Sequence, residues 1–301
     1  MDEPRKPEIS CSLGVFAYNE AGNIVKLLEA LIGQRLKRAR VAEIIVVSSA
    51  STDRTDELVT DFASKHPQVR LIRQARRKGK SSAINLFLAE AVSDILVVIS
   101  GDVVPAEDTI ELLVSAFDDP KIGATGGKPV PFNDESTCMG YAVHLLWRLH
   151  HRMALISPKL GEMIAFRKLM ESIPADSAVD EASIEAIVRD KGFQLRYIPQ
   201  AIIFNRGPSK IKDFVKQRRR IQNGHLWLQR KQGYKVVSQE SGILLKILGA
   251  ELRENPRSCF KIAGVMGLEL FCRLLGSYDF YIRGKNPFAW DIAHSAKSPK
   301  G

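Results

Sequence analysis

The chain has 301 residues and 45% of them are hydrophobic, so its length fits one large α/β domain or two small ones, and bulk disorder is not expected. Its net charge of +10 and its pI of about 9.5 point to an anionic partner such as a nucleoside diphosphate, an anionic lipid or a nucleic acid. A basic solvated surface would explain the same net positive charge without any partner.

The four cysteines are too far apart in sequence to suggest a zinc motif or a disulfide framework, which fits a reducing, cytoplasmic setting. Residues 1–8 are polar and contain proline, so we expect a disordered tail and no signal peptide. The most apolar stretch, 259–276, is interrupted by Lys261, Glu269 and Arg273, so we predict no ordinary membrane span. An interfacial amphipathic helix and a buried core helix remain equal alternatives for this stretch.

The first hundred residues alternate apolar strands with amphipathic helices. Strands are predicted at 12–16, 43–47, 69–72 and 94–99, and helices at 24–32, 53–62 and 81–91. This alternation predicts βαβ units in a parallel sheet, whose ligands bind beyond the carboxyl ends of the strands. The polar segments 16–20, 48–53 and 100–102 all lie at such ends, so we group them as one candidate binding site.

From about Lys121 the pattern changes. A glycine-rich run, 123–127, precedes helices predicted at 139–155, 181–191 and 211–232, the last of them broken or loosened near Gly224. Gly161–Arg167 predicts a strand with a turn, and two short strands are expected at 195–198 and 201–204. Residues 238–301 are predicted to be helical and then irregular.

Two segments carry residue types that suit nucleotide chemistry. Asn19 and Glu20 follow a strand and open a helix, where they could hydrogen-bond a base or ribose, although a helix N-cap at Asn19 explains them equally. Segment 76–85 places four cations and Gly79 before a helix, which suits a diphosphate, although a basic surface loop is the alternative.

Taken in order, four motifs resemble the signature of the inverting family 2 glycosyltransferases: Tyr18-Asn19-Glu20, Ser100-Gly101-Asp102, Asp180-Glu181 and Gln217-Arg218-Arg219-Arg220-Ile221. Segments 43–55, 76–85 and 161–167 are also similar to family segments, and the resemblance covers about residues 10–235. It implies an α/β fold of the GT-A type. The nucleotide-binding half would be 9–105, the acceptor-binding half 106–235 and a helical C-terminal extension 236–301.

The resemblance also implies a role for each position. The nucleotide-binding residues would be Tyr18, Asn19, Glu20, Ser49, Lys80, Asn85, Gly101 and Asp102. Asp102 would hold Mn²⁺ or Mg²⁺ against the donor phosphates. Glu181 or Asp180 would deprotonate the acceptor hydroxyl, and Arg220, in one motif with Gln217, would stabilise the leaving nucleoside diphosphate.

Three departures from the family pattern qualify these roles. Ser48 and Ser49 stand where many members carry aspartate, which leaves the donor open between UDP- and GDP-sugars. Ser100 replaces the first aspartate of the metal motif, so Asp102 would be the sole protein carboxylate and metal binding without nucleotide should be weak. Ile221 replaces a tryptophan that processive synthases typically keep, which favours one transfer per encounter.

We therefore predict a metal-dependent, inverting glycosyltransferase that acts on an acceptor saccharide or a lipid-linked acceptor. The alternatives are a nucleotidyltransferase, a non-catalytic nucleotide-sugar binder and a basic nucleic-acid-binding protein; the last is the least expected, because no nucleic-acid motif accompanies the basic stripe in 210–230. The basic, apolar C-terminal region favours a cytoplasmic protein with peripheral contact to the cytoplasmic face of a membrane. Segment 290–297 resembles one that some members fold over the site.

Overall fold

The computed structural model describes residues 7–288, apart from the side chain of Ser241. The strands are Ile9–Ala17 (β1), Ala39–Ser48 (β2), Val69–Arg73 (β3), Ile95–Ser100 (β4), Val104–Pro105 (β5), Ile122–Pro131 (β6), Met163–Arg167 (β7) and Gln194–Asn205 (β8). The helices are Ile24–Ile32 (α1), Thr55–Lys65 (α2), Lys80–Glu90 (α3), Thr109–Ser115 (α4), Cys138–Ile156 (α5), Asp180–Asp190 (α6), Ile211–Gln232 (α7), Ser241–Glu254 (α8) and Cys259–Tyr281 (α9).

The strands of the described part form one eight-stranded sheet in the order β3-β2-β1-β4-β7-β6-β8-β5. β1 pairs in parallel with β2 and β4, and β2 with β3, as the strand–helix alternation predicted. β7 runs antiparallel to both β4 and β6, so the sheet is mixed beyond β4. The carboxyl ends of β1, β2 and β4 therefore meet at one edge, where ligands of such sheets bind.

Both faces of the central strands are buried, which explains their continuous apolar runs. Leu13 and Val15 of β1 pack into a core layer with α1, α2 and α4, while the other layer lies against α3 and α6. Gly14 has a packing role in the second layer, because a Cβ there would lie 2.7 Å from the Phe87 ring of α3.

Two features differ from the sequence expectations, and a third concerns the glycine-rich run, whose structure the sequence did not predict. Helix α7 is continuous through Gly224, where a Cβ would lie 3.0 Å from Val179 and 3.1 Å from Ala178, so this glycine permits close packing and does not break the helix. The two short strands expected after residue 194 are one strand, β8. The glycine-rich run lies inside β6, because a Cβ at Gly127 would lie 2.2 Å from a β8 carbonyl oxygen.

Buried ion pairs hold the C-terminal helices against α7. Arg218 donates two hydrogen bonds to Glu269 (2.7 and 2.8 Å), and Arg219 donates two to Asp279 (2.5 and 2.6 Å). Gly276 sits at the same contact, where a Cβ would lie 2.5 Å from the Arg219 carbonyl oxygen. Within residues 7–288, no helix combines the length and the hydrophobicity that a bilayer crossing requires.

Replacing Arg219 by methionine should destabilise the protein by about 2 kcal/mol, because Asp279 would stay buried with only the longer contact to Arg283. Urea unfolding monitored by circular dichroism measures this difference. Lys212→Met, on an exposed position of the same helix, is the matched control. Equal unfolding midpoints for Arg219→Met and Lys212→Met would show that the ion pair does not stabilise the α7–α9 contact.

Glu185 anchors α6 to two other parts of the chain. Its carboxylate accepts hydrogen bonds from the Leu160 backbone N–H (2.6 Å) and from the Tyr234 hydroxyl (3.0 Å). Burial raises the pKa of Glu185 from 4.5 to about 7, more than these bonds and the charge of Lys159 lower it. The folded protein therefore holds this proton more tightly than the unfolded chain does.

Glu185→Gln should raise the melting temperature relative to wild type more at pH 8 than at pH 5. The contribution of a carboxyl with a raised pKa is full below its ordinary value and declines as the pH rises through about 7, whereas glutamine has no such proton to lose. We expect the relative gain to be roughly 4 °C in differential scanning calorimetry. Exposed Glu171→Gln is the control, and a pH-independent difference for Glu185→Gln would refute the assignment.

Candidate active site

A cleft of about 830 Å³ opens at the carboxyl ends of β1, β2 and β4 and continues between α5, α6 and α7. It brings together predicted site residues from six separate segments of the chain: Tyr18, Glu20, Ser49, Lys80, Gly101, Asp102, Asp180, Glu181, Gln217 and Arg220. Tertiary structure thus assembles in one space what the sequence distributes over two hundred residues.

Two predicted nucleotide ligands, Asn19 and Asn85, do not line the cleft. The Asn85 carboxamide makes two hydrogen bonds to the Ile173 backbone, with N···O distances of 2.8 and 2.9 Å. The Asn19 side chain bonds both the backbone N–H and the hydroxyl of Thr52. In the structure both residues connect loops, and their nucleotide-binding role stays a prediction.

The loops after β1 and β2 form one rigid support for the outer end of the cleft. The Glu20 N–H donates to the Thr55 hydroxyl (2.8 Å), and the Ala21 N–H donates to the Asp53 carboxylate (3.1 Å). Asn19 and Ala50 adopt positive φ angles of 53° and 58°, which only the surrounding contacts sustain in residues other than glycine. This support points Tyr18 and Glu20 into the cleft.

Ser49 and Gly101 determine the space at this end. The Ser49 hydroxyl donates to Gln74 (3.0 Å), which in turn donates to Ser82, so Ser49 presents a fixed polar surface. A Cβ at Gly101 would lie 2.9 Å from Glu20 Cγ, so glycine there permits the approach of the two loops. The Arg77 guanidinium lies over the Tyr18 ring, 4.2 Å from its centroid, at the mouth of the cleft.

Asp102 is partly exposed to the cleft and offers carboxylate oxygens, which are the donors that hard divalent ions prefer. Among the side chains described for residues 7–288, no group of three or more histidine, cysteine or acidic side chains is arranged to hold a metal ion. The Asp102 carboxylate fits an ion that takes one protein carboxylate and completes its shell with phosphate oxygens. That is the arrangement expected from Ser100 and Asp102 in the sequence.

Glu162 is a residue in the cleft that the sequence analysis did not single out. It has a φ of 62°, and it accepts a hydrogen bond from Asn205 at 3.0 Å. Burial, together with the charges of Asp102 and Glu181, raises its pKa to about 7. Only its position between Gly161 and an apolar strand marks it in the sequence, and that pattern does not distinguish a site residue from a turn residue.

The two candidate bases, Asp180 and Glu181, begin α6 and share one cation. The Lys80 ammonium lies 2.7 Å from the carboxylate of Asp180 and 2.7 Å from that of Glu181. Burial and the charge of Glu181 raise the pKa of Asp180, whereas the Lys80 ammonium outweighs burial at Glu181 and lowers its pKa. Glu181 is therefore the more acidic of the two carboxyls, and Lys80 in this structure contacts both candidate bases.

The three arginines of α7 have different surroundings. Arg218 and Arg219 are engaged with Glu269 and Asp279, whereas Arg220 faces the cleft within the electrostatic range of Asp180, Glu181, Glu162 and Asp102. Burial lowers the pKa of Arg220, although a guanidinium remains charged at any physiological pH. Gln217 lines the cleft on the same helix.

The chain after α9 returns to the cleft. The Lys285 carbonyl oxygen accepts hydrogen bonds from Asn223 (2.9 Å) and Trp227 (3.2 Å), and Asn286 donates to Asp176. Phe288 lines the cleft, and its carbonyl oxygen would lie 2.9 Å from a Cβ at Gly79. Segment 290–297, which the sequence predicted to fold over the site, lies outside the described residues.

Residues 12–177 match the sequence model of the family described as glycosyl transferase family 2. The probable glycosyltransferase YdaM of Bacillus subtilis is 28% identical over 228 residues, which are 70% of this chain and 54% of that protein. A dolichol-phosphate mannosyltransferase of Pyrococcus furiosus is 28% identical over 204 residues, or 65% of this chain and 57% of the relative. The chain thus spans a little over half the length of these two relatives.

Solved structures show the same fold. The mannosyltransferase PcManGT of Pyrobaculum calidifontis, in complex with GDP-mannose and Mn²⁺, aligns with a TM-score of 0.63 at 21% identity and covers 92% of this chain and 86% of its own. Glucosyl-3-phosphoglycerate synthase of Mycobacterium tuberculosis aligns at 0.53 and 19% identity, covering 76% and 81%. These alignments confirm the GT-A fold. The family match extends over more than half of this chain, so the chain belongs to glycosyl transferase family 2.

Proposed function

We propose that the protein transfers a sugar from a UDP- or GDP-sugar to an acceptor hydroxyl, with inversion at the anomeric carbon and one transfer per encounter. The observation that carries this proposal is the single cleft lined by Asp102, Glu181 and Arg220. These side chains offer a metal carboxylate, a base and a phosphate-binding cation, which are the groups that a single displacement of a nucleoside diphosphate requires.

The donor would occupy the end of the cleft at β1, β2 and β4. Tyr18 and Glu20 lie there with Ser49, and all three face the space expected for the nucleoside. Mn²⁺ or Mg²⁺ held by Asp102 would offset the charge of the donor phosphates when it is bound. The solved relatives contain Mn²⁺ with GDP-mannose in one and UDP in the other, which supports both the ion and the donor class.

The acceptor hydroxyl would approach Glu181. A direct displacement inverts the anomeric carbon and needs one base to take the hydroxyl proton, and Glu181 is 24% exposed towards the cleft while Asp180 is only 4% exposed. The Lys80 ammonium orients both carboxylates and keeps Glu181 ionised. Arg220, which carries a fixed positive charge in a buried position, would stabilise the charge that develops on the departing diphosphate.

An acceptor presented at a membrane surface is compatible with the exterior of α9. Large apolar side chains are exposed along this helix: Phe260, Leu270, Phe271, Leu274, Tyr278 and Tyr281. Exposed Lys261 and Arg283 lie near its two ends, and basic residues beside an apolar helix face favour peripheral contact with anionic lipid. We include such contact in the proposal, together with a saccharide or lipid-linked acceptor.

Asp102→Asn should remove the Mn²⁺-dependent part of donor binding. Wild-type protein is expected to show a thermal shift with one of the UDP- or GDP-sugars that grows when Mn²⁺ is added. In Asp102→Asn that growth should disappear and transfer should fall by about 100-fold or more, since even outer partners of metal ligands cost 10–100-fold. Asp190→Asn, at an exposed position on α6, is the control. Full metal-dependent binding by Asp102→Asn would overturn the metal assignment.

Glu181→Gln should lower kcat by about 10²–10⁴-fold while it leaves donor affinity unchanged, because the amide cannot accept the acceptor proton. Rapid-quench measurement of transfer and calorimetric measurement of donor binding separate the two effects. Exposed Glu171→Gln serves as the control and should leave both quantities at wild-type values. If Asp180→Asn lost transfer and Glu181→Gln kept it, the base would be Asp180.

If every donor bound and none was transferred or hydrolysed, the protein would be a nucleotide-sugar binder. Release of pyrophosphate in place of a nucleoside diphosphate would identify a nucleotidyltransferase.

A further inference from the structure

The inner end of the cleft holds cations that the proposed transfer does not use. Lys159, Arg218 and Arg273 line this end together with His150 and His225, and we call this group the cationic pocket. It lies between α5, α7 and α9. Asp102, the proposed metal ligand, belongs to the opposite end at the carboxyl edge of the sheet.

The cationic pocket has an excess of positive charge. Glu269 accepts hydrogen bonds from Arg218 (2.7 and 2.8 Å) and from Arg273 (2.8 Å), so one carboxylate serves two guanidinium groups. The Lys159 ammonium contacts the Ser238 hydroxyl at 3.4 Å, and among the described residues no carboxylate oxygen lies within 4.0 Å of it. Lys159 is thus a cation inside the cleft with no ion-pair partner.

The Glu185 carboxyl acts on Lys159 only through its charge, because neither of its oxygens lies within 4.0 Å of the ammonium. Both oxygens of Glu185 already accept hydrogen bonds, from Leu160 and Tyr234, and burial raises the pKa of Glu185 to about 7. Burial, with the charges of Arg218 and Arg273, outweighs the opposing charges of Glu185 and Glu269 and lowers the pKa of Lys159 to about 8. An ammonium without an ion-pair partner in a half-buried site is unfavourable, and a bound anion would relieve this cost.

We propose that the cationic pocket, centred on Lys159, binds an anionic group of the acceptor, a phosphate or a carboxylate. This inference rests on the proposed function and names the class of its acceptor. Glu185, beside Lys159, follows Glu181 by four residues on α6, so the pocket begins about 6 Å along the helix axis from the base. An acceptor could therefore place its hydroxyl at Glu181 and its charge at Lys159.

Apolar side chains line the cleft as well. They are Leu146, Trp147, Phe214 and Met266, so an anion attached to a hydrocarbon chain and an anion attached to a small polar molecule can both be tested in the same space. Arg218 holds α7 against α9 through Glu269, and Arg273 pairs with the same Glu269 and donates to the Ser238 carbonyl oxygen, so both charges have a structural use. Lys159 has no such ion pair, and it is the residue on which the test depends.

The test compares binding of inorganic phosphate, glycerol 3-phosphate and octyl phosphate to wild type, Lys159→Met and Lys159→Arg by isothermal titration calorimetry. Octanol and glycerol are the uncharged controls, and exposed Lys235→Met is the matched charge control. We expect at least one of the organic phosphates to bind wild type. Lys159→Met should lower the affinity for that phosphate by about tenfold or more. Lys159→Arg and Lys235→Met should stay within about threefold of wild type.

Equal phosphate affinity in wild type and Lys159→Met, or no binding of any phosphate to wild type, would overturn the proposal. If Lys159→Met does not fold, Lys159→Gln keeps a polar side chain and removes the charge; it should show the same loss, and unchanged phosphate affinity in it would overturn the proposal. Tighter binding of octyl phosphate than of glycerol 3-phosphate would indicate a lipid-linked anion, and the reverse order a soluble one. Either order of affinity would support an anion site in the cationic pocket.

Donor binding measured with Mn²⁺ on the same variants separates this inference from the proposed function. It should be the same in Lys159→Met and wild type, because Lys159 lies outside the donor end of the cleft. Loss of donor binding in all proteins, with phosphate binding intact, would refute the transferase and leave the anion site. Intact donor binding with Lys159-independent phosphate binding would refute the anion site alone.

Discussion

The contact of Lys80 with Asp180 and Glu181 is the interaction on which the rest of the site depends. It joins α3, which belongs to the parallel half of the sheet, to the first turn of α6 about one hundred residues later. Two adjacent buried carboxylates repel each other, and the ammonium between them makes their burial tolerable. The ammonium lowers the pKa of both carboxyls, but burial and the charge of Glu181 outweigh it at Asp180, so the proton preference lies with Asp180 and Glu181 is the proposed base.

Helix α7 shows how a short basic run serves stability and chemistry together. Successive residues of a helix point in directions about 100° apart, so Arg218, Arg219 and Arg220 cannot share one environment. Two of them reach carboxylates on α9 and hold the C-terminal helices in place, and the third reaches the cleft. The helices after α7 are therefore part of the wall of the site, since Glu269 and Arg273 line the same cleft as Arg220.

The cleft is polar and acidic near the sheet and cationic at its inner end. Asp102, Glu162 and Glu181 surround the region proposed for metal, phosphates and hydroxyl, where Glu162 carries a raised pKa because it is buried and its neighbours are negative. Beyond them, Lys159 and the two histidines occupy a region where positive charge is in excess. This change of sign within one continuous space is the physical basis for assigning different parts of the reactants to its two ends.

Much of this protein follows from the sequence. Mostly apolar runs such as Glu43–Val47 predict buried parallel strands, and the segments at strand ends identified five residues that line the cleft, because strand ends meet at one edge of such a sheet. The family resemblance identified five more on helices: Lys80, Asp180, Glu181, Gln217 and Arg220. Gly224 misled the prediction, since a sequence does not show whether a glycine breaks an element or permits close packing. The surroundings of Asn85, Glu162 and Lys159 could not be predicted before folding, because they come from distant parts of the chain. The sequence alone determined which residue types are present and where the strands end; tertiary structure decided which charges are paired and which face the cleft, because pairing depends on distances between segments that only folding establishes.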